Sequence, residues 1–197
     1  MSDWSPFALL WALPAAGMLG SVPTGYALGA LSHGVDVRAG GSGNIGATNV
    51  NRLLGWRLGL LTLGLDALKG AIPAALGLLL WPSFPAGAAL GLAALLGHCW
   101  SPLLDWRGGK GVATAAGIGL VLAPLPTAIA GAVWGLAVAL SRRSSLGAIL
   151  GALTLPIAAF ATGAPLRWAM VVATGVVLLR HRENLQRLRA GAEHGLR

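Results

Sequence analysis

The sequence predicts an all-α integral membrane protein of about seven transmembrane helices, with its N-terminus outside and its C-terminus cytoplasmic. Three observations carry this. Of 197 residues 55% are hydrophobic and only 10% charged, the mean hydropathy is +0.72, and six apolar runs are separated by short basic breaks. Soluble domains carry about 25% charged residues, and so few charges cannot cover a globule that must also hide this much apolar surface. The remaining solvent is lipid.

The first run, Phe7 to Leu31, is 25 residues without a formal charge, enough to cross a ~30 Å hydrocarbon core at ~1.5 Å per residue. The start MSDWSP has no basic segment, so a retained helix is expected rather than a signal peptide. A second run spans Leu58 to Leu80, broken only by Asp66 and Lys69, and a third Phe84 to Leu104, with His98 inside it. Val112 to Leu140 is 29 residues, interrupted at Pro124 and Pro126. A single crossing there would put neighbouring basic breaks on opposite sides, so two short, tilted or partly shielded helices are expected. Leu146 to Ala161 and Leu166 to Leu179 complete seven crossings in one polytopic domain, 1–197.

With 14 Lys and Arg against 6 Asp and Glu the chain carries a net charge of +8. Elsewhere such a balance suggests nucleic acid, but twelve of the basic residues, Arg197 among them, fall at the expected cytoplasmic breaks, leaving Lys69 within a span and Arg167 outside. That bias points to anionic headgroups or anionic substrates, with no nucleic-acid partner. Trp4, Trp56, Trp81, Trp100, Trp106 and Trp168 lie near expected span ends, as an interfacial belt would place them, whereas Trp11 and Trp134 do not. The one cysteine, Cys99, cannot form an intramolecular disulfide or a multi-Cys metal site.

Chemistry is concentrated in the breaks, at about 33–57, 97–114 and 180–197. The first reads HGVDVRAGGSGNIGATNVNRLLGWR; its glycines permit φ > 0, successive N–H groups can form an anion-binding concavity, and Arg52 supplies counter-charge. A flexible polar loop is the alternative. The second, GHCWSPLLDWRGGKGVAT, surrounds Lys110 with glycines before a short helix whose N-terminus favours a phosphate. It is not a P-loop, because Gly111 follows Lys110 where Ser or Thr is needed. In the third, RHRENLQRLRAGAEHGLR, His181 and Asn184 are three apart and share a helical face, the alternative being a solvated basic tail. Asp66 and Lys69, also three apart, are expected to form an internal ion pair with a structural role.

No G-x-S-x-G surrounds a serine, no histidine has an aspartate four residues beyond it, and no His/carboxylate cluster has metal-ligand spacing. No metal or organic cofactor is expected. Such a chain favours chemistry in which positioning and charge stabilisation dominate.

Taken in order, GSVPTGY at 20–26, GSGNIGATNVNR at 41–52, LDALKG at 65–70, GH at 97–98, GGKGVAT at 108–114, and HRENLQRL and GAE in the C-terminal break resemble the bacterial acyl-phosphate:glycerol-3-phosphate acyltransferases of the PlsY type. The resemblance covers nearly the whole chain. It implies a seven-helix enzyme of the bacterial inner membrane, with its active site on the cytoplasmic side. The implied reaction moves a fatty acyl group from acyl phosphate to the 1-hydroxyl of glycerol 3-phosphate, giving lysophosphatidic acid and phosphate as the first acylation of phospholipid synthesis. Besides both substrates and membrane lipid, a soluble enzyme producing acyl phosphate is an implied partner.

By the same resemblance Ser42, Arg52, Lys110, His181 and Asn184 are the catalytic and glycerol-3-phosphate-binding residues. Asn44, Thr48, Asn49, Gly108, Gly109, Gly111 and Thr114 are expected at the acyl phosphate, and Glu193 braces the third break. The acceptor's own phosphate is the implied base, with His181 as its rival. Asp105 and Trp106 depart from the family's usual small and Phe residues, and Leu185 from its Ile, with acyl-chain preference or loop packing as the expected consequence. The competing readings are a small transporter of phosphorylated or anionic solutes and a non-catalytic lipid-binding scaffold.

Overall fold

The computed structural model describes residues 5–83, 85–193 and 195, and Trp4, Phe84 and Arg197 lie outside them. No strand occurs among the described residues. The helices are α1 (Pro6–Ser21), α2 (Thr24–His33), α3 (Ala47–Leu54), α4 (Trp56–Leu80), α5 (Ala86–Cys99), α6 (Val112–Leu122), α7 (Pro124–Ser141), α8 (Ser144–Ala161), α9 (Arg167–Arg180) and α10 (Arg182–Arg189). Single 3-10 turns at Val37–Ala39 and Pro102–Leu104 shape the first two breaks.

Among the described residues four stretches are long and apolar enough to cross a membrane: α4, Ala86–Leu104, α7 and α8. The first apolar run is not one straight helix. It bends by 41° between α1 and α2, where Pro23 lacks the N–H that a continuous helix would use. The 112–140 run does divide, with Ala123 at φ −152 separating α6 from α7 and Pro124 opening the second helix. At ~1.5 Å per residue α6 is only about 17 Å long and α9 about 21 Å, so each falls short of a full-thickness span.

Close backbone approach holds the helices together. A Cβ on Gly97 would lie 1.9 Å from the Gly17 carbonyl oxygen, and one on Gly117 1.9 Å from that of Ala67; α1 meets α5, and α4 meets α6, only because these positions have no side chain. Leu95, Ile118 and Met170, all fully buried, centre a core shared by α5, α6, α8 and α9. The apolar belt around it is exposed, as lipid-facing surface must be: Leu60, Leu136, Ile157 and Val172 are examples.

Asp66 and Lys69 lie one turn apart inside this bundle. Lys69 Nζ is 2.8 Å from Asp66 Oδ1 and donates to the Val22 carbonyl at 2.9 Å, while the Thr24 hydroxyl donates to Asp66. The pair therefore ties α4 to the α1–α2 bend, using the carbonyl that the bend frees.

The tryptophan belt is only partly realised. Trp56, Trp106 and Trp168 are exposed, but Trp81 is 3% exposed, packed with Ala16, Ala86 and Leu90, and its Nε1 donates to the Ser5 carbonyl. Proximity to a helix end did not place that indole in the interface, because the α4–α5 turn folds it inward.

Candidate active site

The first, second and third breaks and the α7–α8 junction converge on a cavity of about 360 Å³ at one end of the bundle. Ser42, Arg52, Lys110, His181, Asn184 and Glu193 line its polar end, and Ala130, Trp134, Ala148, Leu155, Ala173 and Val177 belong to its apolar wall. One chamber thus offers cations to an anionic group and an apolar slot to a hydrocarbon chain.

Asn49 builds the first loop. Its Nδ2 faces the carbonyls of Val37, Gly40 and Asn44 at 2.8, 3.2 and 2.9 Å, and its Oδ1 accepts from the Ser42 N–H at 2.8 Å and Arg52 Nη1 at 3.3 Å. At 1% exposure its polar atoms are all engaged within the protein, so Asn49 holds Ser42 and Arg52 in place at the cavity wall, of which it is itself a part. Gly41 makes room for it: at φ +59 a Cβ there would lie 2.2 Å from Asn49 Oδ1. Asn44 turns the chain by accepting from the Gly46 N–H at 2.9 Å, and the Thr48 and Ser144 hydroxyls meet at 3.0 Å. Val37, Ile45 and Val50, packed with Leu104, form the small apolar base of this loop.

In the second loop the glycines do different jobs. Gly111, at φ +81, caps α6 and lines the cavity. Gly108 and Gly109 do not line it: the Gly109 N–H donates to the His98 carbonyl at 3.0 Å, and a Cβ on Gly109 would lie 2.2 Å from His98 Nε2. Both positions require glycine for close packing against α5, and the Gly109 N–H is engaged within the protein. Thr114 is also outside the cavity, fully buried against Gly70 of α4. Asp105 and Trp106, at φ +50 and +64, are exposed and do not reach the lining, so their departure from the family pattern is confined to the turn.

His181 and Asn184 share the α9–α10 corner, 2% and 3% exposed. His181 Nδ1 lies 2.8 Å from the Val177 carbonyl, an acceptor only. Nδ1 therefore carries the proton and Nε2 is left as an acceptor. Asn184 Nδ2 donates to Glu193 Oε1 at 2.7 Å, and Arg187 Nε to Glu193 Oε2 at 2.9 Å. This carboxylate fixes the amide so that its Oδ1, buried and without a partner in the protein, belongs to the cavity wall.

Burial pushes the Lys110 ammonium down to about 8, helped by Arg187 and opposed by Glu193 and Glu183. Burial likewise lowers His181 to about 4, the Val177 carbonyl opposing and Lys110 assisting. Burial acts to raise the Glu193 carboxyl, but Ser145, Asn184 and Arg187 outweigh it and hold the group below its ordinary value.

Three lining side chains were given no site role from the sequence. His98 Nδ1, 3.8 Å from Asp66 Oδ1, is buried without a hydrogen-bond partner in the protein, Ser145 faces the Glu193 carboxylate that it helps to stabilise, and Trp134 forms apolar wall. Signals existed: His98 interrupts an apolar run, the serines follow Arg143, and Trp134 fits no interfacial belt. Buried polar atoms are nearly always satisfied, and His98 Nδ1 and Asn184 Oδ1 are cavity-lining atoms without a partner in the protein. Among the described residues no three His, Cys, Asp or Glu side chains converge as a metal site would require.

Fold and site together define a small polytopic membrane protein whose cavity sets cationic side chains against an apolar wall. The family model described as glycerol-3-phosphate acyltransferase matches residues 10–191, and the chain belongs to that family. The glycerol-3-phosphate acyltransferase of Trichlorobacter lovleyi is 47% identical over 187 residues, 94% of this chain and 95% of that protein. That of Geobacter sulfurreducens is 46% identical over 179 residues, covering 90% and 92%.

The crystal structure of the integral membrane glycerol 3-phosphate acyltransferase PlsY (YgiH) in its glycerol 3-phosphate form superposes with a TM-score of 0.90 at 36% identity, over 96% of each chain. Its lysophosphatidic acid form gives 0.87 at 36% identity, over 95% of each. The chain is accordingly an integral membrane acyltransferase, and the transporter and scaffold readings fall away.

Proposed function

We propose that this chain transfers a fatty acyl group from acyl phosphate to the 1-hydroxyl of glycerol 3-phosphate. It does so as a seven-crossing protein of the bacterial inner membrane whose cavity opens to the cytoplasm, where a soluble enzyme supplies the acyl phosphate. The observation that carries the reading is the division of the cavity's polar end by hydrogen-bonding sense. Lys110, Arg52 and Ser42 offer donors suited to phosphate oxygens, whereas His181 Nε2 and Asn184 Oδ1 offer acceptors suited to the hydroxyls of glycerol. The apolar wall around Trp134 takes the acyl chain. The twelve-to-one bias of basic residues supports the orientation, with α6 and α9 counted as short crossings beside the bent α1–α2 pair.

In this mechanism the C1 hydroxyl oxygen attacks the acyl carbon, the bond from that carbon to the phosphate oxygen breaks, and inorganic phosphate leaves. Arg52, Lys110 and the Gly111 end of α6 stabilise the charge. The hydroxyl proton passes to the acceptor's own phosphate. A phosphate monoester has a second pKa of about 6, whereas His181, lowered to about 4, is the weaker base and serves to orient the hydroxyl. The test is purified chain in lipid with glycerol 3-phosphate and either palmitoyl phosphate or palmitoyl-CoA. Lysophosphatidic acid from the first donor alone is expected; efficient use of the thioester would overturn the donor assignment.

A further inference from the structure

Arg180 is the last residue of α9, next to His181, and its side chain does not enter the large cavity. It turns instead to the second loop. Its Nη2 donates to the Gly108 carbonyl at 2.9 Å and its Nε to the Gly109 carbonyl at 3.1 Å, while its guanidinium carbon sits 5.4 Å from the ring centroid of Trp100. From the opposite side α5 grips the same turn: the His98 carbonyl accepts the Gly109 N–H at 3.0 Å, and the imidazole fills the space where a Gly109 Cβ would project. Lys110 follows immediately, with Gly111 in a left-handed conformation behind it.

We propose that Arg180 is a positioning residue for the acyl transfer: by bridging two consecutive carbonyls it locks the Gly108–Gly109 turn to the α9–α10 corner, and so fixes Lys110 relative to His181 and Asn184. Only a planar, two-pronged donor does this. A guanidinium presents parallel N–H groups in a fixed fork and stacks on an indole, whereas a lysine ammonium is a single point donor. The two carbonyls satisfied by Arg180 belong to buried residues, so its loss leaves acceptors without partners and releases the turn. The two halves of the polar site, one on the second loop and one at the α9–α10 corner, are thereby made a single unit, and the acceptor is bound only when both are in register. The inference rests on the acyl-transfer reading for its kinetic consequence, but its structural consequence stands apart from it.

The test uses the full chain in detergent or liposomes with Arg180→Lys and Arg180→Gln, read by amide hydrogen exchange and by turnover with palmitoyl phosphate and varied glycerol 3-phosphate. Both variants are expected to exchange faster over 108–111 while α4 and α7 keep wild-type protection. Both are expected to raise KM for glycerol 3-phosphate at least tenfold, Lys recovering little over Gln. Wild-type exchange over 108–111 in Arg180→Gln would overturn the proposal, as would wild-type kinetics in Arg180→Lys. A raised KM with unchanged exchange would also overturn it, assigning Arg180 to direct contact with an anion in the smaller cavity of about 220 Å³ that it shares with Lys110. Absence of turnover in the wild type would instead refute the acyl-transfer reading, leaving exchange to decide the clamp. If neither variant folds, Gly109→Ala perturbs the same turn from the His98 side: faster exchange over 108–111 with a raised KM is expected, and wild-type behaviour would count against the clamp.

Discussion

Replacing Asn49 by Ala removes one side chain whose hydrogen bonds all stay within the protein, and it should disable the first loop. Two amide protons now serve the carbonyls of Val37, Gly40 and Asn44, and one oxygen serves the Ser42 N–H and the Arg52 guanidinium. Each buried group left without a partner costs ~1–3 kcal/mol. The total is on the order of 4 kcal/mol, because Val37 is inaccessible to replacement water while Gly40 and Ser42 are partly open to it. The loop's own apolar base is only Val37, Ile45, Val50 and Leu104, so the expected loss falls on the loop rather than the bundle. Hydrogen exchange over 37–52 should accelerate by at least a hundredfold, with kcat/KM for glycerol 3-phosphate falling at least tenfold and the membrane helices still protected. Asn49→Asp should do no better, since it keeps the acceptor but sets a carboxylate against three carbonyls. Wild-type exchange and turnover in Asn49→Ala would refute this reasoning.

Other outcomes follow from the same geometry. Lys110 must be protonated to hold a phosphate, and its value is lowered to about 8, so kcat/KM for glycerol 3-phosphate should fall as pH rises through about 8; Lys110→Arg should abolish that alkaline limb, and its persistence in the variant would assign it elsewhere. His181 is lowered from 6.5 to about 4, so between those values the unfolded chain binds more protons than the folded one. Its contribution is fully present above 6.5 and lost as pH falls through about 4, on the order of 3 kcal/mol in all; His181→Gln should flatten the acid side of a thermal-stability profile. The same variant should keep measurable turnover at a raised KM, whereas normal glycerol 3-phosphate binding with no turnover would make His181 the base. Glu193→Ala frees both the Asn184 amide and Arg187 and should raise KM severalfold, with Glu193→Gln recovering part of it. Thorough chelation with EDTA should leave activity intact; a complete, metal-reversible loss would contradict the charge-stabilisation mechanism.

What the sequence made legible is what has a period or a spacing. Apolar run lengths located the helices, Pro124 marked the α6–α7 break, and the three-residue separation of Asp66 and Lys69 gave an ion pair. The bend at Val22–Pro23 was equally signalled by Pro23, but the uncharged length of the run hid it. Run length also could not distinguish a full span from the short α6 and α9. In the site, glycine was the ambiguous letter: Gly41 and Gly111 are there for φ, Gly108 and Gly109 for contact with His98 and Cys99, and a one-dimensional pattern does not separate the two. Asn49 is ambiguous for a related reason, since in sequence a polar residue amid ligands looks the same whether its partners are substrate or backbone. Arg180 read as one more cytoplasmic charge because its partners lie about seventy residues earlier in the chain.

The central claim is that one polar cavity uses the Lys110 cation to bring two phosphate-bearing substrates together. Its most direct test is incorporation of labelled glycerol 3-phosphate into lysophosphatidic acid from palmitoyl phosphate, by wild-type chain and Lys110→Ala in liposomes, both verified as folded. The expected result is product from the wild type with stoichiometric release of inorganic phosphate, and a loss of at least a hundredfold in the variant. Undiminished product formation by Lys110→Ala would contradict the account.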